Sequence, residues 1–303
     1  MHWRAGLHPD GSLLQANYTV TRTLAAAGIE VLSGRERFGR RGDPEVALLV
    51  GVNGTATHEL VLSRMPPDAS AEPASTGARL AVVMFGFGDD AALEHAFVPL
   101  PAPFAVALSP DGKQSEAMFR DARTGGREVV LHVPLEPINY PQVNPGPGTI
   151  LVSMRPSQIS GRMRRYLEQA GPVAAVANHM GSLATQDMTV MSAVYRELHR
   201  ERVPFLHMTP TAGAVCKPLA AQFGVAYEEP DAVIDYETRA EQPALLDKRW
   251  KQVLAETRAR GHGVVMVRAT PLTRAGITRA LDVKRLKGVS AVPLSSLLKR
   301  PPI

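Results

Sequence analysis

Val129-Val130-Leu131-His132-Val133-Pro134-Leu135-Glu136-Pro137 and, further on, Val173-Ala174-Ala175-Val176-Ala177-Asn178-His179-Met180-Gly181-Ser182 decide the fold. Each is a continuous apolar run of the length of one strand buried on both faces, and each ends in polar, ligand-capable side chains. Parallel α/β folds place their chemistry at the carboxyl ends of such strands. Pro134 and Pro137 argue against a helix through His132 and Glu136. These two residues are therefore expected on the loop that follows the strand, and Asn178, His179 and Ser182 on an equivalent one.

Outward from these runs, strands and helices alternate. Strands are expected at Leu80–Phe85, Phe104–Leu108, Glu128–His132, Val173–Asn178, Pro204–Met208, Val264–Val267 and near Val289–Val292. Met188, Met191, Tyr195 and Leu198 share one helical face, and Leu246, Trp250, Val253, Leu254 and Thr257 another; both stripes read as core. Alternation of this kind implies a parallel sheet. It begins near Arg79, after the Pro/Ala/Ser-rich stretch 67–78, which holds no large apolar residue and reads as a linker. Residues 1–66 read as a small α+β unit with a helix from Leu13 to Ala27, a strand at Ile29–Leu32, and a hairpin turning at Asn53-Gly54.

Composition describes an ordinary globular chain: 303 residues, 45% hydrophobic and 21% charged, with a formal charge of +5. No run reaches the roughly 18 apolar residues of a membrane span. The start, Met1-His2-Trp3-Arg4-Ala5-Gly6, has no apolar signal core. Cys216, the single cysteine, forms no internal disulfide and reads as a small buried hydrophobe at a helix start. Basic clusters at Arg35/Arg37/Arg40/Arg41, Arg162/Arg164/Arg165 and Lys284/Arg285/Lys287 have no interleaved aromatics, so no nucleic-acid platform is expected. Gly86-Phe87-Gly88-Asp89-Asp90-Ala91 fits the G-x-G-x-x-A pattern, but two carboxylates stand where a pyrophosphate would lie.

In order along the chain stand Leu100-Pro-Ala-Pro103, Glu128-Val-Val-Leu-His132-Val-Pro-Leu-Glu136-Pro137, Asn144-Pro-Gly-Pro-Gly148, Ser153-Met154, Asn178-His179-Met180-Gly181-Ser182 and Thr185-Gln-Asp187. From Arg79 to the C-terminus, residues 79–303, the chain resembles the divergent polysaccharide deacetylases, relatives of the NodB-like carbohydrate esterases. The resemblance implies a distorted (β/α) barrel, an acetylated polysaccharide or glycan as partner, and an extracytoplasmic, periplasmic setting. It implies zinc or another divalent metal that polarises the acetyl carbonyl and holds the attacking water, with an acid and a base moving protons. His132 and His179 fall on the metal-ligand positions. Glu136 is expected in a catalytic role, and Asn178, Ser182 and Arg268 as substrate-lining residues. The oligomeric state is left open.

Three departures stand against that chemistry. Phe85-Gly86 occupies the place of a consecutive Asp pair, His207 that of a further Asp, and Val267-Arg268 that of a late Gly-His. Losing one positioned acid or base costs about 10²–10⁴ in rate. The sequence therefore predicts a deacetylase-like protein of carbohydrate metabolism with a degenerate site, serving glycan binding or an accessory role. The alternative is an active enzyme rewired through Asp89 or His207. A third class is an interaction protein working through its N-terminal unit.

Overall fold

The computed structural model describes residues 2–7, 13–38, 44–64, 77–88, 90–235 and 243–298. The chain divides into two compact units, residues 1–72 and 73–303. The division falls within the expected linker, which lies outside the described residues up to residue 76.

The first unit comprises β1 (His2–Leu7), α1 (Leu13–Ala26), β2 (Glu30–Phe38), β3 (Pro44–Val52) and β4 (Thr55–Arg64). The sheet order is β1-β4-β3-β2, with β1 parallel to β4 and the other pairs antiparallel. Asn53 and Gly54 both take positive φ, 52° and 72°, as a two-residue type I′ turn requires. Val46, Leu48, Val50 and Leu62 pack with Leu13, Ala16, Val20 and Leu24 from one face of α1. Two elements exceed the expectation. β1 is a largely exposed strand whose partner lies far along the chain. β2 runs through polar Ser33–Arg37, past the apolar stretch that suggested it. Arg37 is tied to Glu45 (3.4 Å) and Glu59 (3.3 Å). Arg40 and Arg41 lie outside the described residues.

The second unit comprises β5 (Ala78–Phe85), α2 (Ala91–Phe97), β6 (Ala105–Leu108), α3 (Ser115–Thr124), β7 (Val129–Leu135), α4 (Pro156–Ala170), β8 (Ala175–Met180), α5 (Met188–Glu201), β9 (Phe205–Leu206), α6 (Cys216–Phe223), β10 (Tyr227–Glu228), β11 (Ala232–Ile234), α7 (Pro243–Arg260), β12 (His262–Arg268), α8 (Pro271–Ala280), α9 (Val283–Leu286) and β13 (Val289–Ala291). The sheet order is β10-β9-β8-β7-β6-β5-β12-β11, with β13 also on β5, and every pairing is parallel. The sheet curls into a half-barrel whose end strands, β10 and β11, do not meet.

Alternation along each strand sorts the core into two layers. The inner face carries small and medium residues: Ala81, Val83, Ala105, Ala107, Val130, Ala175, Ala177, Leu206, Val264 and Met266. The outer face, with Leu80, Val82, Met84, Leu131, Val176, Phe205 and Val265, packs on the helices. Burial on both faces is why these strands read as unbroken apolar runs. The expected stripe on α5 is buried at Met191, Tyr195 and Leu198, but Met188, at the helix start, is 54% exposed. On α7, Leu246 and Trp250 only partly join the core.

Candidate functional site

The inward-facing sequence ends at the carboxyl mouth of the sheet with Phe85 on β5, His132 on β7, His179 on β8 and Arg268 on β12. Each lies two residues beyond an inner-core residue of its strand, so the alternation that buries the core also converges these four side chains. His132 therefore lies inside β7, not on the following loop, because the strand continues through Pro134 to Leu135.

His132 is buried, and its ring centroid lies 4.8 Å from that of His179. Its Nε2 donates to the Asn178 carbonyl at 3.2 Å. Phe85 packs edge-on against it, 6.1 Å between centroids. Burial holds the His132 imidazole well below its ordinary pKa, and His179 and Arg268 push the same way. His179 is also lowered, by burial and then by Arg268, with Asp235 opposing. Both rings are neutral near pH 7.

The charge beside them belongs to Arg268. Asp235 follows β11, and the pairing Ile234↔Val267 sets it opposite Arg268. The guanidinium grips that carboxylate through Nε and through Nη2, the latter at 3.0 Å from Oδ2. Its Cζ lies 5.2 Å from the Phe85 ring centroid, a cation–π contact. Gly86, at φ +85°, leaves the room: a Cβ there would lie 2.9 Å from Arg268 Nη1.

Glu136 Oε2 accepts from the Val152 amide at 2.6 Å, and its carbonyl accepts from Leu183 and Ala184 at 3.1 and 3.0 Å. Ser182 Oγ accepts from the Ile138 amide at 3.0 Å. These two residues tie together the loops after β7 and β8. Asn178 is buried, donates to the Met180 carbonyl and accepts from the Met208 amide, both at 2.8 Å, and so clamps the ends of β8 and β9. His207 follows Leu206 by one residue and faces the helix side. Its Nδ1 lies 2.8 Å from the Tyr227 hydroxyl, which donates to Glu229 at 2.6 Å. The Tyr227 proton is thus committed to Glu229, and Nδ1 of His207 is the donor. Nε2 is buried with no partner among the described residues, and burial lowers this histidine to about 4. The structure therefore brings His132, His179 and Arg268 together, leaves the Asn178 amide clamping β8 to β9 with only its backbone carbonyl on His132, and sends His207 elsewhere. Asp89 lies outside the described residues; its neighbour Asp90 caps α2 by accepting from Leu93 N at 2.9 Å. Cys216 is fully buried, and burial pushes its thiol up to about 12.

Sequence reading missed Asp235. Its signal, an acid ending a short apolar run after Pro230-Asp231, repeats the strand-end pattern, but a three-residue strand is too short to stand out. Among the described residues, the grouping of three His or acidic ligand atoms compact enough for a metal is Glu94, His95 and Asp121, on α2 and α3, with ligand atoms within 4.8 Å of one another.

Residues 82–298 match the divergent polysaccharide deacetylase family. An uncharacterized protein of Haemophilus influenzae is 22% identical over 67% of this chain and 71% of its own length. The uncharacterized protein YibQ of Escherichia coli K12 is 23% identical over 74% of this chain and 69% of its own. The crystal structure of the uncharacterized Agrobacterium tumefaciens protein ATU2773 superposes with a TM-score of 0.68 at 23% identity, covering 74% of this chain and 90% of that one.

Proposed function

Because the chain belongs to the divergent polysaccharide deacetylase family, we propose that it binds an acetylated glycan at the mouth of the half-barrel, outside the cytoplasm, without hydrolysing it. It would serve glycan metabolism as a binding or accessory component. The observation that carries this reading is the Arg268–Asp235 ion pair seated over Phe85 and Gly86, beside His132 and His179.

A divalent metal held for catalysis needs three protein ligands and an open position. The residues of the mouth do not fit one. Two imidazoles are present, and one nitrogen of His132 is spent on the Asn178 carbonyl. The nearby carboxylate, Asp235, is held by a guanidinium that already supplies a positive charge. A second cation beside it would meet direct repulsion. Glu136 is engaged by a backbone amide, and His207 faces away, so neither supports the base that water activation needs. What remains is a set of neutral imidazoles and a fixed guanidinium. These suit hydrogen bonding to an acetamido or acetoxy group rather than cleavage of it.

The test combines zinc content, acetate release and oligosaccharide binding. We expect binding of N-acetylated oligosaccharides that His179→Ala weakens, with no acetate released. Metal-dependent acetate release, abolished by His132→Ala, would overturn the reading. Zinc that survives His179→Ala but not Glu94→Gln would belong to the α2–α3 cluster and leave the mouth without metal.

A further inference from the structure

On the helix side of the second unit, between α7 and α8, lies a groove of about 590 Å³, within the range of small-molecule sites, roughly 300–1,000 Å³. Ile234, Val267 and Ile277, all buried, form its floor with Leu254, and Trp250 forms a wall. The rim carries Lys251, Arg258, Arg279, Arg285 and Lys287 against one carboxylate, Asp247. Set beside a whole-chain formal charge of +5, an excess of this size in one groove is a local concentration of charge rather than an average surface.

Trp250 lines the wall with its indole ring, its Nε1 itself being buried. An apolar floor and a cationic rim together define the complement of one kind of molecule.

We propose that this groove binds a small amphipathic anion, a single aliphatic chain headed by one anionic group. The chain lies on Ile234, Leu254 and Ile277. The head group meets the rim cations. This site is separate from the glycan reading, because Asp235 and Arg268 of the mouth follow Ile234 and Val267 but face the opposite side of the sheet.

The experiment uses the full chain and dodecanoate below its micelle concentration, followed by tryptophan fluorescence. Trp3 and Trp250 are the two tryptophans, so a Trp3→Phe background isolates Trp250. Dodecanol and dodecyltrimethylammonium are the charge controls, and anionic phospholipid vesicles the membrane control. We expect a saturable response to dodecanoate, weakened about tenfold or more by Arg279→Glu/Arg285→Glu. Gly276 lines the groove on α8, and a Cβ there would meet nothing within 4 Å. Gly276→Phe should therefore fill the groove and abolish the response while the melting temperature holds or rises. An equal response to the neutral or cationic chain, undiminished binding in folded Gly276→Phe, or binding to vesicles without binding of dodecanoate would each overturn the proposal.

Discussion

Arg268 stands in the space that a side chain on Gly86 would need: a Cβ there would lie 2.9 Å from its Nη1 and 3.2 Å from its Cγ. The guanidinium cannot swing aside cheaply, because Asp235 grips it and Phe85 lies against it. The glycine at the end of β5 and the arginine at the end of β12 are thus one feature. Gly86→Ala should destabilise the protein by about 1–3 kcal/mol, from steric overlap and the positive φ together. In an Arg268→Ala background the steric part disappears. A double-mutant cycle by urea denaturation should show a coupling of about 0.5–2 kcal/mol. Strict additivity would mean that the two residues do not share that space.

Arg268 also depresses both histidines of the mouth. Arg268→Ala should raise the pKa of His132 and His179 toward ordinary values, readable as chemical-shift titrations of the two rings. It also frees Asp235. Zinc affinity should therefore rise in this variant and fall again in Arg268→Ala/His179→Ala. Unmoved titrations would remove the electrostatic argument.

Acid should unfold this protein through its neutral histidines. His207 is held at about 4, and His132 and His179 are also lowered. Below pH 6.5 the unfolded chain therefore binds protons that the folded chain does not. Their contribution is complete above the unfolded pKa and is lost as pH falls toward 4. The denaturation free energy should drop steeply between pH 6.5 and 4. His207→Gln should reduce that slope by the equivalent of about one proton. An unchanged slope would refute the assignment to His207.

Glu94 gives the opposite sign. It is buried, and burial raises it to about 7, with His95 opposing. The folded state binds a proton that the unfolded state releases above pH 4.5, so this group lowers stability as pH rises from 4.5 to 7. Glu94→Gln, which keeps the shape without the charge, should gain on the order of 2–3 kcal/mol relative to wild type between pH 5 and pH 8. A gain independent of pH would show that the carboxyl stays ionised.

The parallel sheet was legible because its strands are buried on both faces and interrupted by helices with a clear apolar stripe. His132 and His179 were legible for the same reason, each being the polar break in an apolar run. The same double burial hid which face is inner. That is why His207, one residue past Leu206, reads as a candidate for the site although it faces the helices. Asn178 likewise looked like a lining residue, whereas its amide is spent on Met180 and Met208. β10 and β11 are two and three residues long, too short for any period to register, and Asp235 was lost with them. The ordered motifs from Leu100 to Asp187 supplied the barrel, which alternation alone left open between an open sheet and a closed one.

The fit of Arg268 over Gly86 also imposes an order on descent. While the arginine is in place, a carboxylate introduced at position 86 meets a filled space. While position 86 carries a side chain, the arginine has no seat. A lineage could pass between the two arrangements only by loosening one residue before changing the other, and each half-step sacrifices stability. Such a pair works as a ratchet. Once set, it makes an acid at position 86 far less accessible to single mutations.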